Sequence, residues 1–242
     1  MKIIIIQFGN AYECLASTSI LRGVCRTYKD PEIHVVVADK DSKSIFQHNP
    51  RVQKVVVWQV GHTFGHFDLL INITPGTDAH SLYINADKLI GFKASPKSVV
   101  CQQILYGNKN TRQNIFQVYY DLLNIKWKGE GYDLGYYPKS KNTKNKTGIS
   151  LVNIILRKYV LNKLKLSESK IWNIHFRQSI TDKIDEINKC QNLITDHILS
   201  MHIGIALRKY VYFLQTVPNN MKIEFFGKGE IIKVPHNVLT WK

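Results

Sequence analysis

The chain has 242 residues, of which 44% are hydrophobic and 21% charged, which is typical of a folded globular protein with one large domain or two small ones. Lys and Arg number 33 against 18 Asp and Glu, and the resulting net charge of +15 favours polyanionic partners without choosing among them. No apolar stretch approaches the roughly 18 residues of a membrane span, and the four cysteines lack CxxC spacing, so we expect a cytoplasmic protein without a zinc site or a disulfide framework.

The N-terminal residues predict a strand, a tight loop and a helix. Four consecutive isoleucines at 3–6 suit a strand that is buried on both faces, as in a parallel sheet. Gly9 and Asn10 break the apolar run, and from Glu13 onward the apolar spacing is helical. Such a loop lies at the carboxyl edge of a central strand, where open α/β sheets bind ligands. Glu13 is therefore either a first-turn acid that complements the helix dipole or a functional carboxylate.

The rest of the first half alternates strands with helices. Strands are predicted at 33–38, 52–58, 69–74 and near 98–101, and helices at 41–48, 78–89 and 111–125. This alternation predicts a parallel, Rossmann-like sheet.

The segment 138–147 has four lysines and almost no apolar residues, which is typical of a solvated linker. We therefore predict an N-terminal domain at 1–137, a linker at 138–147 and a smaller C-terminal domain at 148–242. In the last of these, strands are predicted at 148–156, 170–176, 192–195 and 210–215, and helices at 157–166, 179–190 and 198–208. Residues 192–208 repeat the strand, polar loop and helix of the N-terminus.

The opening segment KIIIIQFGNAYECLASTSILRG resembles that of the family 9 glycosyltransferases, the ADP-heptose:lipopolysaccharide heptosyltransferases. Further similar segments follow in order, covering most of 1–104 and 190–230: HNPRVQKVVVW, FDLLINIT, LIGFK, ITDHILSMHIGIALRKYVYFLQ and IEFFGKGE. The resemblance implies an α/β protein of GT-B-like architecture, with two Rossmann-like domains on parallel sheets and the second reduced in size. It also implies that the first domain binds the acceptor and the second the nucleotide-heptose donor.

On the acceptor side, the resemblance implies a catalytic carboxylate in the first loop. The family has an aspartate there, and Glu13 occupies its position, accompanied by Gly9, Asn10 and Thr18. A carboxylate suits removal of the proton from the acceptor hydroxyl as the glycosidic bond forms. Glutamate is one methylene longer than aspartate, so the geometry of the proton transfer differs.

On the donor side, the resemblance implies an acid, a turn with a small hydroxyl residue or glycine, and a histidine five residues after the acid, grouped around the diphosphate at a helix N-terminus. His202 matches the histidine and Ser200 the hydroxyl residue, but His197 stands where the acid is expected. Asp196, one place earlier, either substitutes for the acid or caps the helix. The family's basic, tryptophan-containing segment after the first strand of the second domain has no counterpart here.

The leading interpretation is a glycosyltransferase that moves heptose from ADP-heptose to a lipopolysaccharide-core or similar glycan acceptor, by an inverting reaction without a metal ion or cofactor. Its implied partners are a nucleotide sugar and an anionic glycolipid or glycan, with peripheral contact at the inner membrane surface. The alternative is a degenerate, non-catalytic member that binds a glycan or a protein, which the altered donor half motivates.

Two other interpretations are disfavoured. The charge alone does not indicate a nucleic-acid binder, because no binding motif or basic strand interleaved with aromatic residues is present, and composition bias also explains a lysine-rich surface. His62 and His66 have helical i, i+4 spacing but lie in a polar loop with Gly65, so we predict no metal site.

Overall fold

The structure is a computed structural model and describes residues 1–74, 82–92, 113–140, 146–216, 222–235 and 238. The chain forms two compact units, Met1–Tyr136 with Asn220–Ile223, and Tyr137–Asn219 with Glu224–Lys242. Each unit contains a five-stranded sheet in which every described strand pair is parallel. The predicted α/β class with parallel sheets is therefore confirmed. No helix of the described residues is long and apolar enough to cross a membrane.

The first unit is organised around a central strand made of the isoleucine run. Its strands are β1 (Lys2–Gln7), β2 (Glu32–Val37), β3 (Val52–Val57), β4 (Phe67–Asn72) and β5 (Ala86–Gly91). Its described helices are α1 (Ala11–Ser17), α2 (Ser19–Thr27), α3 (Lys40–Phe46) and α4 (Ile115–Leu122). The order is β3-β2-β1-β4-β5, so the chain changes direction across the sheet between β1 and β4. The crevice beyond the carboxyl ends of these two strands is where such sheets bind ligands.

The prediction of a helix over 78–89 is wrong where the structure describes it. Residues 86–91 form β5, which pairs in parallel with β4, so that Leu89 lies beside Leu70 and Ile90 beside Ile71. Long-range strand pairing has overridden a local spacing that also fits a helix. Residues 75–81 and the strand predicted near 98–101 lie outside the described residues.

Hydrogen bonds of Asp133 link the segment after α4 to preceding elements of the first unit. Its carboxylate accepts hydrogen bonds from Arg22 Nε at 3.0 Å and Arg51 Nη1 at 2.9 Å. The Asn49 side chain donates to the backbone oxygen of Asp133 at 2.7 Å, and the backbone amide of Asp133 donates to Thr18 Oγ1 at 3.0 Å. Because Asp133 is buried, these bonds compensate for the desolvation of its charge.

The second unit also has a five-stranded parallel sheet, but with a different strand order and mostly shorter strands. Its strands are β6 (Thr147–Ser150), β7 (Ile171–Asn173), β8 (Asn192–Thr195), β9 (Tyr210–Gln215) and β10 (Gly229–Lys233). The α-helices described over their full length in this unit are α5 (Leu156–Lys163), α6 (Ile180–Asn188) and α7 (Ile198–Ala206). The order is β10-β9-β8-β6-β7, so the switch point lies between β6 and β8.

The described start of the predicted linker carries contacts to α6. The backbone amide of Lys139 donates to Asp185 Oδ1 at 2.7 Å, and Ser140 Oγ donates to the Asp185 backbone oxygen at 2.6 Å. At its other end, Thr147 is the first residue of β6. The domain bounds at 137 and 148 stay a prediction.

Candidate functional site

The first loop joins β1 to α1 and is held by reciprocal capping. Asn10 is the N-cap of α1, and its side chain accepts hydrogen bonds from the amides of Tyr12 and Glu13, each at 3.2 Å. Glu13 Oε2 in turn accepts the amide of Asn10 at 2.8 Å. This is a capping box, in which two amides that the helix leaves without partners are satisfied together. The structure therefore shows the first-turn role of Glu13, which is compatible with a second, chemical role.

The carboxylate of Glu13 is largely withdrawn from water. The residue is 7% exposed, and burial raises its pKa, an effect that the hydrogen bond from the Asn10 amide partly opposes. A Cβ atom on Gly9 would lie 2.6 Å from Glu13 Oε2 and 2.9 Å from Gln7 Oε1, so glycine is required for the loop to lie against this carboxylate. A raised pKa makes this carboxylate, at a sheet switch point, a stronger base than an ordinary glutamate, which suits a group that accepts a proton.

Three further polar residues of this site were not predicted from the sequence. Gln7 ends β1, and its Oε1 accepts the amide of Gly9 at 2.9 Å. Thr74 Oγ1 accepts the amide of Phe8 at 2.7 Å, and Asn72 Oδ1 accepts the amide of Thr74 at 3.1 Å. The available signal was a polar residue at the end of each of two otherwise apolar strands, β1 and β4.

In the second unit, hydroxyl groups and a histidine surround the start of α7. His197 is the N-cap, and its Nδ1 lies 3.0 Å from Ser200 Oγ. Ser200 Oγ is 3.2 Å from Ser150 Oγ, at the end of β6. Thr195 Oγ1 donates to the Ser150 backbone oxygen at 2.6 Å and accepts the His197 amide at 3.0 Å. Ser150 and Thr195 were not predicted from the sequence; each is a hydroxyl residue that ends an apolar strand.

Asp196 holds the loop that follows β6. Its Oδ1 accepts the amide of Val152 at 2.7 Å, and its Oδ2 accepts the amide of Asn153 at 2.9 Å. The sequence left open whether Asp196 caps the helix, and it does not, because His197 fills that position. Its assignment to donor binding stays a prediction.

No model of a known protein family matches the sequence, and no curated protein does either. Solved structures do match. The glycosyl transferase family 9 protein of Veillonella parvula DSM 2008 is 12% identical with a TM-score of 0.68, over 96% of this chain and 86% of that one. E. coli heptosyltransferase WaaC with ADP-2-deoxy-2-fluoro heptose is 11% identical with a TM-score of 0.65, over 99% and 95%. E. coli ADP-heptose lps heptosyltransferase II is 12% identical with a TM-score of 0.64, over 98% and 91%.

The chain has the fold of the family 9 glycosyltransferases. The resemblance stated from the sequence is therefore confirmed at the level of the fold, and so is the GT-B-like class. At identities of 10–12%, these similarities establish the fold of this chain but not its substrates.

Within this family 9 fold, the two predicted donor-side histidines lie in environments that disfavour their charged forms. Burial lowers the pKa of His202 to about 4. Burial also lowers the pKa of His197, with a further contribution from Lys183 and an opposing one from Asp196. His202 is therefore neutral near pH 7, and an anion at this site would be held by the amides at the start of α7 rather than by a charged imidazole.

Thr18, predicted as part of the acceptor-side loop of the family 9 fold, lies between α1 and α2. It is fully buried, and its Oγ1 donates to the Leu15 backbone oxygen at 2.7 Å while accepting the amide of Asp133. The structure thus shows Thr18 buried at the break between two helices. The helical pattern of the sequence does not reveal this break, and the assignment of Thr18 to the acceptor side stays a prediction.

His62 and His66 do not converge as a pair in this family 9 fold. His62 Nδ1 accepts the amide of Gln59 at 3.2 Å. His66 instead lies with Asp68 and Asp87, with one potential ligand atom of each within 4.8 Å of the others, and its Nε2 is 3.2 Å from Asp87 Oδ1. This cluster is at the amino end of β4 and β5, opposite the carboxyl edge that carries Glu13. An exposed imidazole and a carboxylate at this distance can interact with each other directly, without a metal ion between them.

Proposed function

We propose that the protein is a glycosyltransferase that moves a sugar from a nucleoside-diphosphate donor to a hydroxyl group of a glycan. The observation that carries the proposal is the buried carboxylate of Glu13 at the carboxyl end of β1, in a chain with the family 9 fold. The start of α7 at the second switch point supports it, since amides at a helix N-terminus favour an anion such as a diphosphate.

In the proposed reaction, Glu13 accepts the proton of the acceptor hydroxyl while that oxygen forms a bond to the anomeric carbon of the donor. The bond from this carbon to the diphosphate oxygen breaks, and the nucleoside diphosphate leaves with the electron pair. Attack opposite the leaving group inverts the anomeric configuration. The amides at the start of α7 stabilise the negative charge that develops on the diphosphate, without a metal ion or other cofactor.

We further propose ADP-heptose as the donor and a lipopolysaccharide-core or similar anionic glycan as the acceptor. The similar E. coli structures carry these names: one is a heptosyltransferase with ADP-2-deoxy-2-fluoro heptose, another an ADP-heptose lps heptosyltransferase. The net charge of +15 supports an anionic acceptor. The proposal includes a cytoplasmic location with peripheral contact at the inner membrane, where a glycolipid acceptor would be reached.

The test is Glu13→Gln, because glutamine can still accept the Asn10 amide and complete the capping box while it cannot take a proton. We expect transfer from ADP-heptose to fall by roughly 10²- to 10⁴-fold, with ADP binding unchanged and no loss of thermal stability. The exposed Glu230→Gln serves as a matched control. Full activity of Glu13→Gln would overturn the assignment of Glu13 as the base.

A non-catalytic binder is the second candidate, and one observation favours it. Asp196 is engaged with the amides of Val152 and Asn153, and His197 stands where the family 9 resemblance implies an acid. Calorimetric titration of the folded protein with ADP-heptose separates the two. Absence of heat would exclude the transferase and favour a binder of glycan or protein alone.

A further inference from the structure

The loop between β6 and α5 presents apolar side chains to solvent on a fixed backbone. Ile154 is 69% exposed and Ile155 is 41% exposed. Asp196 accepts the amides of Val152 and Asn153, and Asn153 Oδ1 accepts the amide of Ile155 at 3.0 Å. Because these bonds fix the backbone, exposure of the isoleucines is a feature of the fold rather than of a loosely held loop.

These isoleucines continue into an apolar groove along α5. The groove has a volume of about 710 Å³ and is lined by Ile154, Ile155, Tyr159 and Val238 among others, with apolar atoms forming most of its surface. This volume falls in the range of pockets that hold an extended small molecule or an acyl chain. The opposite face of α5 packs into the core of the second unit through Leu156, so the helix is already anchored without an occupant in the groove.

Cationic side chains border the groove. Lys158 and Lys163 both line it, and Lys163 Nζ lies 3.2 Å from the hydroxyl of Tyr159 and 5.6 Å from the centre of its ring. An apolar floor with cationic edges is complementary to an anionic amphiphile, with its chain against the isoleucines and its phosphate against the lysines. A nucleic acid would satisfy the lysines and leave the isoleucines without a partner.

We propose that this groove docks the protein on a membrane surface by taking an acyl chain of an anionic phospholipid. The lipid groove, as we name it, is formed by Ile154, Ile155, Lys158, Tyr159, Lys163 and Val238. Its loop is held by Asp196, the residue just before the N-cap of α7, so the loop end of the groove and the start of α7 lie at the same edge of the second sheet. The inference stands independently of the transfer reaction.

The test is flotation of the full-length protein with vesicles of phosphatidylcholine alone or with about a third of phosphatidylglycerol. We expect binding to the anionic vesicles only, weakened by salt. Ile154→Ser with Ile155→Ser should weaken binding by about tenfold or more, since two exposed apolar side chains lose their burial in lipid. Ile231→Ser on β10, whose 40% exposure matches that of Ile155, should leave binding unchanged.

A second variant keeps the test decisive if the isoleucine variant fails to fold. Lys158→Gln with Lys163→Gln changes two exposed side chains, and each loss of charge should weaken binding to anionic vesicles by about fivefold. Lys228→Gln with Lys233→Gln is the matched control. Absence of binding to phosphatidylglycerol vesicles, or equal loss in groove and control variants, would overturn the lipid groove. Neither outcome would bear on the transferase proposal, which is tested separately by measuring sugar transfer by Glu13→Gln.

Discussion

The carboxylate of Glu13 has two roles, one in capping α1 and one proposed in proton transfer. As the acid of a capping box it stabilises α1, and as a buried group with a raised pKa it is held in a state that favours protonation. The two roles act on different observables, because capping depends on an acceptor oxygen and proton transfer depends on basicity. Glutamine and alanine at this position therefore separate them.

Replacing Glu13 tests the capping role through stability. Glu13→Ala should lower the free energy of unfolding by about 1 kcal/mol relative to Glu13→Gln, since only glutamine keeps the acceptor for the Asn10 amide. Ionisation of the wild-type carboxyl costs stability as pH rises from its ordinary 4.5 to its raised folded-state pKa. The free energy of unfolding of Glu13→Gln, measured in urea, should therefore rise relative to that of the wild type as pH increases across this window. A constant difference at every pH would contradict the burial effect.

His202 predicts the opposite pH dependence. Its folded-state pKa of about 4 lies below the ordinary 6.5, so the unfolded chain binds a proton first as pH falls. Stability should be lost between pH 6.5 and 4, by about 3 kcal/mol from this residue alone. Urea unfolding of His202→Gln should show a shallower loss over that range than the wild type. The exposed His48→Gln controls for removal of one titratable group, and an equal change in both variants would refute the prediction.

At the scale of elements, the first loop and the loop after β6 are built differently. The first loop depends on glycine, because a side chain at Gly9 would collide with Glu13. The loop after β6 depends on a carboxylate, since Asp196 receives two of its amides. The first loop is held by its capping box together with this close packing, whereas the loop after β6 is held by two amides that donate to one carboxylate.

Gly9→Ala should destabilise the protein by about 1–3 kcal/mol. Its Cβ would approach not only Glu13 Oε2 but also Glu13 Cβ, at 2.9 Å, so rotation of the carboxylate alone does not relieve the clash. Thermal unfolding measures the loss, and transfer activity should fall with it. Gly65→Ala is the matched control, because a Cβ there meets no atom within 4 Å. Equal stability of the two variants would contradict this packing.

The local sequence pattern was sufficient to predict strands whose own run of apolar residues marks them as buried. The strands at 192–195 and 210–215 were predicted with their observed bounds, and the isoleucine run with its place at the sheet centre. Pattern failed at β5, where pairing with β4 decides the conformation of a segment whose spacing also fits a helix. The partners of Asp196 were likewise hidden, since they lie 43 and 44 residues away in the sequence.

At the scale of the whole molecule, two parallel sheets each have a switch point lined with polar groups. In the first unit these groups include Glu13 and Gln7; in the second they include Ser150, Ser200 and His197. A carboxylate suits a hydroxyl that must lose a proton, and a helix N-terminus suits an anion. The two units therefore predict different ligands.

ADP should act on the second unit alone. We expect hydrogen exchange at 150–153 and 198–201 to slow when ADP is added, while peptides from 1–74 exchange as before. At 100 times the dissociation constant, ADP should stabilise the structure that binds it by about 2.7 kcal/mol. Adenosine, which lacks the diphosphate, is the control and should protect these amides less. Protection confined to the first unit would reverse the assignment of the donor site.

The bonds of Asp133 also bear on how the chain folds as it is synthesised. Its partners Arg22, Arg51 and Thr18 precede it by 111, 82 and 115 residues. Contacts so distant in sequence are costly to close and form late. When β1 to β5 of a nascent chain have left the ribosome, Asp133, to which these three side chains are hydrogen-bonded, has not yet emerged. We therefore expect these contacts of the first unit to form only after residue 133 has left the ribosome, and not as each strand emerges from the N-terminus.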